Sequence, residues 1–139
     1  MPYTEVGDLA SVLSLRDLEK LCARARLSIG EGRSVAAQLW DFAKEVRSGD
    51  AIVAAKAGSI LGLGRVTGVY FFDSSPEGAM HDGVVFPHRI PIQWEKTYDE
   101  PFNTRALDPR VFRSLFFPQD VIHEVSDVEA RMKIAGLFP

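Results

Sequence analysis

The chain has 139 residues, 46% of them hydrophobic and 25% charged, with a formal net charge of −3 and a pI near 5.6. This is the composition of an ordinary soluble globular protein, long enough for one domain with a core. The acidic balance argues against nonspecific nucleic-acid binding by the whole surface, and no apolar run approaches the length of a bilayer span.

The opening "MPYTEVGDLASVL" carries acids and no basic segment, so it does not read as a signal peptide. One cysteine, Cys22, makes no internal disulfide, and a reducing cytoplasm is the expected compartment. In "SLRDLEKLCARARL" the residues Leu15, Leu18, Leu21, Cys22 and Ala25 recur at helical spacing, with Ser14 as N-cap. Cys22 on that stripe is expected in the core. A second helix is predicted from Ser34, with the stripe Val35, Leu39, Phe42, Ala43 and Val46 and a stop at Gly49.

The middle of the chain reads as β. "AIVAAKA" and "ILGLGRVTGVYFF" form a predicted hairpin, turning at Gly58 and Ser59. In "HRIPIQWE", Ile90, Ile92 and Trp94 alternate with Arg89, Gln93 and Glu95, which places Trp94 in the core, and Pro91 suits an edge or bulge. Asp108 and Pro109 open a further helix, "VIHEV" is a predicted strand, and Ser126 with Glu129 caps a final helix that ends at Gly136. Strands clustered between helices indicate a single α+β domain over residues 1–139, not alternating βαβ units.

Three glycines, Gly62, Gly64 and Gly68, crowd the second strand. They do not match a phosphate-cradling loop. Gly64 is followed by Arg65 and Val66 where a P-loop needs lysine and a hydroxyl, and the segment beyond is β-prone. As strand residues they share a parity with Val66 and Tyr70, leaving Leu61, Leu63, Val69 and Phe71 for the other face. A face without side chains lets a strand coil sharply or another chain segment come close, and a bulge would shift the parity. Arg65, opposite the glycines, is expected in an ion pair.

"LWDFAKEVRSGDAIVAAKAGSILGLGRVTGVYFFD" followed by "PHRIPIQWE" resembles the EVE-like branch of the PUA-like superfamily, particularly the modules at the N-terminus of McrB-type restriction GTPases. The shared pattern is an aromatic pair in a helix, "GD" before a strand, the glycine-spaced strand, and a basic alternating strand. It covers Leu39 to Glu95. The resemblance implies a small curved β-barrel flanked by helices, and relatives, including YTH domains, that bind a nucleotide whose base carries an added methyl. In the McrB-type setting the module reads modified DNA, and separate motor and nuclease subunits cut it.

Under that resemblance Phe86 is the first expected pocket ring, with Trp40, Tyr70 and His88 as further pocket residues. Arg33, Arg89 and Lys96 are expected to hold the nucleic-acid backbone. Each has a plainer alternative: a loop aromatic on the core for Phe86, packing for Trp40 and Tyr70, solvated charge for the basic residues. His81, His88 and His123 lack ligand spacing, so no metal or cofactor is expected. No catalytic set is readable either, and a non-catalytic role is expected.

The leading expectation is a reader of modified, methylated DNA that flips the base into an aromatic pocket, with an RNA reader as a variant. The competing class is a protein-interaction module that kept the barrel and lost the pocket.

Overall fold

The computed structural model describes residues 1–27, 34–75, 80–81, 83–103, 108–116 and 122–139. In chain order the elements are α1 (Leu15–Arg24), α2 (Val35–Trp40), β1 (Ala51–Lys56), β2 (Ser59–Val66), β3 (Phe71–Phe72), β4 (Met80–His81), β5 (Val84–Val85), β6 (His88–Arg89), β7 (Ile92–Asn103), α3 (Pro109–Phe116) and α4 (Val128–Ala135). This is a mixture of helices and small antiparallel sheets. The described residues fall into two compact units: Met1–Arg47 with Gly68–Pro91, and Ser48–Thr67 with Ile92–Pro139.

In the first unit the core is Val6, Leu9, Val12, Leu18, Cys22, Ala36 and Leu39. Helix α1 starts where Ser14 Oγ accepts the Asp17 N–H at 3.1 Å, as its capping pattern predicts. Leu18 and Cys22 are buried, whereas Leu15, expected on the same stripe, is 37% exposed in the first turn. Helix α2 starts likewise at Ser34, whose Oγ accepts the Ala37 N–H at 3.1 Å. It does not run on to Gly49. After Trp40 the turn widens: the Val46 N–H reaches the Asp41 carbonyl, five residues back, at 3.0 Å. Val46 itself is extended, and Gly49 lies in a later turn with φ +96°. Two ribbons complete this unit, β3 paired with β6 and β4 with β5.

In the second unit β1, β2 and β7 form one antiparallel sheet in that order. The hairpin between β1 and β2 turns one residue earlier than its sequence suggests. Lys56 faces Ser59, and the two turn residues are Ala57 (φ 52°) and Gly58 (φ 84°). Two positive φ angles in succession make the turn whose twist matches a hairpin, which an Ala-Gly pair disguises because alanine seldom adopts that region. Ile60 and Leu63 of β2 pack with Val111 and Leu115 of α3 and Ala130 and Ile134 of α4.

The long glycine strand is a correction. β2 stops at Val66, and Gly68 lies beyond it. Pairing with β7 slips between Ile60 and Gly62 and again between Leu63 and Gly64. These bulges break the expected parity: Leu63 is buried, while Leu61, Val69 and Phe71 are 39%, 78% and 44% exposed. Pro91 separates β6 from β7, which suits a residue with no N–H to donate.

The "VIHEV" strand does not form over residues 122–125, and Val121 lies outside the described residues. No strand pairs with this segment among the described residues. His123 Nε2 instead bonds the Ser114 carbonyl at 2.8 Å, and Val125 packs on the core. Helix α3 opens at Asp108 and Pro109 as expected, with Asp108 Oδ1 accepting the Arg110 N–H at 2.8 Å. The cap of α4 is Asp127, whose Oδ1 accepts the Ala130 N–H at 2.8 Å, one residue after the expected Ser126. No helix among the described residues is long and apolar enough to cross a membrane.

Candidate functional site

Of the residues expected to bind a base, Tyr70, Phe86 and His88 lie on or beside the β3–β6 ribbon. Phe72 of β3 pairs with His88 of β6, and Phe71 with Arg89. Alternation along the strand sends Tyr70 and Phe72 inward and leaves Val69 and Phe71 exposed.

His88 is the centre of this cluster and only 1% exposed. Its Nδ1 lies 2.8 Å from the Tyr70 hydroxyl and its Nε2 3.0 Å from the Tyr3 carbonyl. A carbonyl accepts only, so Nε2 carries the proton and Nδ1 accepts from Tyr70. The Tyr70 oxygen in turn accepts the Leu9 N–H at 3.1 Å. Tyr70 stacks on the imidazole at 5.9 Å between centroids. Phe72 approaches the same ring at 5.3 Å, tilted by 61°. Phe42, from the widened turn after α2, meets Tyr70 edge-on at 6.4 Å.

The backbone joins in. The Met1 ammonium donates to the His88 carbonyl at 2.7 Å, and the His88 N–H donates to the Met1 carbonyl at 3.3 Å. Tyr3 holds a left-handed φ of 72°, an unusual state for a bulky residue and one that needs fixed surroundings. Burial pushes the His88 pKa below its ordinary value, opposed by the bond to Tyr3. Burial also raises the Tyr70 hydroxyl, and burial with Arg89 nearby lowers the Met1 ammonium to about 6.

These positions correct the expectation for His88. Its ring is buried and both nitrogens are engaged, so it offers no atom to a base or a phosphate. Tyr70 likewise spends its hydroxyl on Leu9 and His88. The pair is a bracket behind the surface, not a wall of an open slot. Arg89, expected on a phosphate, turns its guanidinium inward instead. Nε donates to the Phe86 carbonyl at 3.0 Å, and Nη1 donates to Asp73 Oδ2 at 3.1 Å. Nη2 donates to the Asp73 carbonyl at 3.3 Å. The Asp73 carboxyl is held below the usual range by hydrogen bonds from Ser75, with Arg89 adding to the effect. Arg89 therefore ties the backbone at Phe86, between β5 and β6, to Asp73.

Phe86 is half-buried. Trp40 is half-buried at the end of α2, packed beside the same core as Tyr70, and its Nε1 donates to Glu45 Oε1 at 3.3 Å. Lys96 belongs to the second unit, exposed on β7, with Nζ 5.0 Å from the centre of the Tyr98 ring. Arg33 lies outside the described residues. Phe86, His88, Arg89 and Tyr70 are thus brought together. Phe42, Phe72, Tyr3 and Asp73 complete the cluster. Inward alternation in "VYFFD" was the available signal for Phe72. The bonds from Tyr3 and Leu9 had none, because they span more than 60 residues.

Trp94 also differs from expectation, being 47% exposed. A Cβ on Gly62 would lie 3.3 Å from its ring, and one on Gly64 3.0 Å. The glycines make room for an indole lying on the strand, and Gly68 makes room for the Pro91 ring, 2.8 Å from where a Cβ would stand. Arg65 pairs with Glu95 at 3.1 Å, as expected. Among the described residues no three His, Cys, Asp or Glu side chains come together as a metal site.

A family profile for a domain of unknown function (DUF8426) matches residues 1–114, and the chain belongs to that family. No curated protein and no solved structure matches the chain.

Proposed function

We propose that this chain is a non-catalytic reader of modified nucleic acid, binding a methylated DNA base turned out of its stack on a small curved barrel of the EVE-like kind. In this reading Phe86 and Trp40 are the rings that meet the base. Tyr70, His88 and Arg89 are positioning residues behind them. The observation that carries it is the Arg89 clamp on the Phe86 carbonyl, backed by the saturated His88 bracket. Together they fix the backbone from which the half-buried Phe86 ring projects, which reduces the ordering cost of binding. The register slips in the sheet of β1, β2 and β7 support the curved-barrel part of this reading, since a bulge bends the strand that carries it.

A methyl group fully buried against such rings adds about 0.8 kcal/mol, or about fourfold in affinity. Stacking adds roughly 1–3 kcal/mol per base irrespective of the mark. The test is a binding comparison between one oligonucleotide with and without methylated bases, as DNA and as RNA, at low salt. The expected result is a severalfold preference for the methylated DNA that Phe86→Ala abolishes. Equal affinities overturn the reading.

A second reading, a protein-interaction module, is favoured by the outward face of the β3–β6 ribbon. Val69 and Phe71 are exposed there, and the neighbouring Arg89 is neutralised by Asp73. A stable protein complex lost in Phe71→Ser, with no shift of any modified oligonucleotide, decides for it.

A further inference from the structure

The outer face of α1 carries charges that the helix itself does not need. Arg16, Lys20 and Arg24 are all exposed and stand four residues apart. At about 100° per residue they fall within about 80° of arc. At 1.5 Å rise they step about 6 Å apart along the axis. The buried face, with Leu18 and Cys22, points the other way.

Locally the row gains as well as loses: Arg24 lies in the last turn, where the dipole favours a cation, and Asp17 with Lys20 and Arg16 with Glu19 are opposite charges at i and i+3. Arg16 sits in the first turn, where the helix dipole disfavours a cation. Arg16 with Lys20, and Lys20 with Arg24, are like-charge neighbours at i and i+4, each costing about 0.2–0.5 kcal/mol. Asp17 and Glu19 flank the row, but among the described residues neither forms an ion pair with it. By contrast Arg65, Arg89, Arg110, Arg131 and Lys133 each face a carboxylate. What sets the row apart is its placement: three exposed cations without an ion pair among the described residues share one helix face, a local concentration of positive charge that an anionic partner can take.

We infer that the Arg16–Lys20–Arg24 ridge of α1 docks the phosphate backbone of a nucleic acid, one cation to a phosphate. The inference shares with the function proposed above the premise that the partner is a nucleic acid, but it concerns a separate surface and a sequence-independent interaction. A row of separated cations suits a regularly charged polymer. A membrane surface instead wants apolar side chains among the cations; within Arg16–Arg24 the one on the outer face is Ala23, and the exposed Leu13 and Leu15 precede the row instead of interleaving with it.

The experiment measures binding of an unmodified DNA duplex between about 50 and 200 mM salt, for the wild type and for R16Q/K20Q/R24Q. Each neutralised phosphate contributes about 0.9 to the slope of log affinity against log salt, so the triple variant is expected to lose up to about 2.7 of slope. The wild type then loses up to about 40-fold more affinity than the variant across that range. R16K/R24K keeps the charges and is expected to keep the slope. The triple variant removes two like-charge pairs together with two opposite-charge pairs at i and i+3, so it is expected to melt close to the wild type. An unchanged slope overturns the proposal. So does loss of binding to phosphatidylserine vesicles with duplex binding intact, which assigns the ridge to an anionic membrane. A methyl preference with an unchanged slope sinks the ridge alone, whereas a ridge-dependent slope without that preference sinks only the base reader.

Discussion

The Tyr70 hydroxyl stands 2.8 Å from His88 Nδ1 and simultaneously accepts the Leu9 N–H at 3.1 Å. One oxygen therefore satisfies two groups that are nearly or fully buried, since Leu9 is 0% and His88 1% exposed. Removing it strands both. Tyr70→Phe keeps the ring and its stacking, so the loss isolates the hydroxyl. It is expected to cost about 1–3 kcal/mol of stability, the penalty of an orphaned buried polar group. Chemical denaturation, with the slope against denaturant unchanged, checks it.

His88 makes folding sensitive to acid. Its folded pKa lies below the ordinary value because burial disfavours the charged ring. The unfolded chain therefore takes up a proton first as pH falls. The His88 contribution is fully present above about pH 6.5 and is lost progressively below it, until the folded pKa is passed. The Met1 ammonium, lowered to about 6, acts in the same direction at higher pH. Asp8 and Glu5 oppose the shift of His88. Comparing melting temperatures from pH 7.5 to 5 for the wild type and His88→Gln separates the imidazole from the amine. The variant is expected to be less stable throughout and to show a flatter acid limb.

The glycines of β2 are not equivalent. On Gly64 a Cβ would stand 2.8 Å from the Gln93 carbonyl oxygen and 2.8 Å from Ile92 Cγ2, in addition to the indole. On Gly62 the nearest atoms are at 3.3–3.4 Å. Gly64→Ala must displace the neighbouring strand and is expected to cost about 1–3 kcal/mol. Gly62→Ala is expected to cost less. Trp94→Ala should relieve the Gly62 substitution but not the Gly64 one, because the backbone contact remains. A double-mutant cycle reads this directly.

Capping gives a test of local detail. Asp127 Oδ1 accepts the Ala130 N–H, and the Asp127 carboxyl is held below its usual range chiefly by that bond. Asp127→Ala is expected to cost about 1 kcal/mol. Ser126→Ala is expected to stay within about 0.5 kcal/mol. The reverse order would return the cap to Ser126.

Legibility followed the range of the interaction. Ser14, Ser34, Asp108 and Pro109 were readable because a cap is settled within four residues. The hairpin was readable too, but its turn was displaced by one, because nothing local announces Ala57 at positive φ. The glycine strand misled because its parity holds only without bulges, and the bulges are set by pairing with β7. Trp94 misled for the same reason: in-phase spacing with Ile90 assumes one strand, and Pro91 divides it. His88 was singled out as chemistry-bearing. That it is buried and saturated depends on Tyr3, Leu9 and Tyr70, which no short window contains.

The positioning argument predicts a division of labour between neighbouring residues. If Phe86 meets the base and the bracket only holds it, the two classes of variant fail differently. Phe86→Ala is expected to remove the methyl preference while costing little stability, because the ring is half-buried. Arg89→Lys keeps a cation but cannot reproduce the fork on Phe86 and Asp73. It is expected to weaken binding of methylated and plain oligonucleotides unequally, narrowing the preference toward unity as the backbone at Phe86 loosens. Salt dependence should barely move, since the charge is retained. If instead Arg89 held a phosphate, Arg89→Gln would lower the salt slope by about 0.9 and leave the preference intact. Anisotropy titrations of both variants against both oligonucleotides, at two salt concentrations, separate a clamp from a contact.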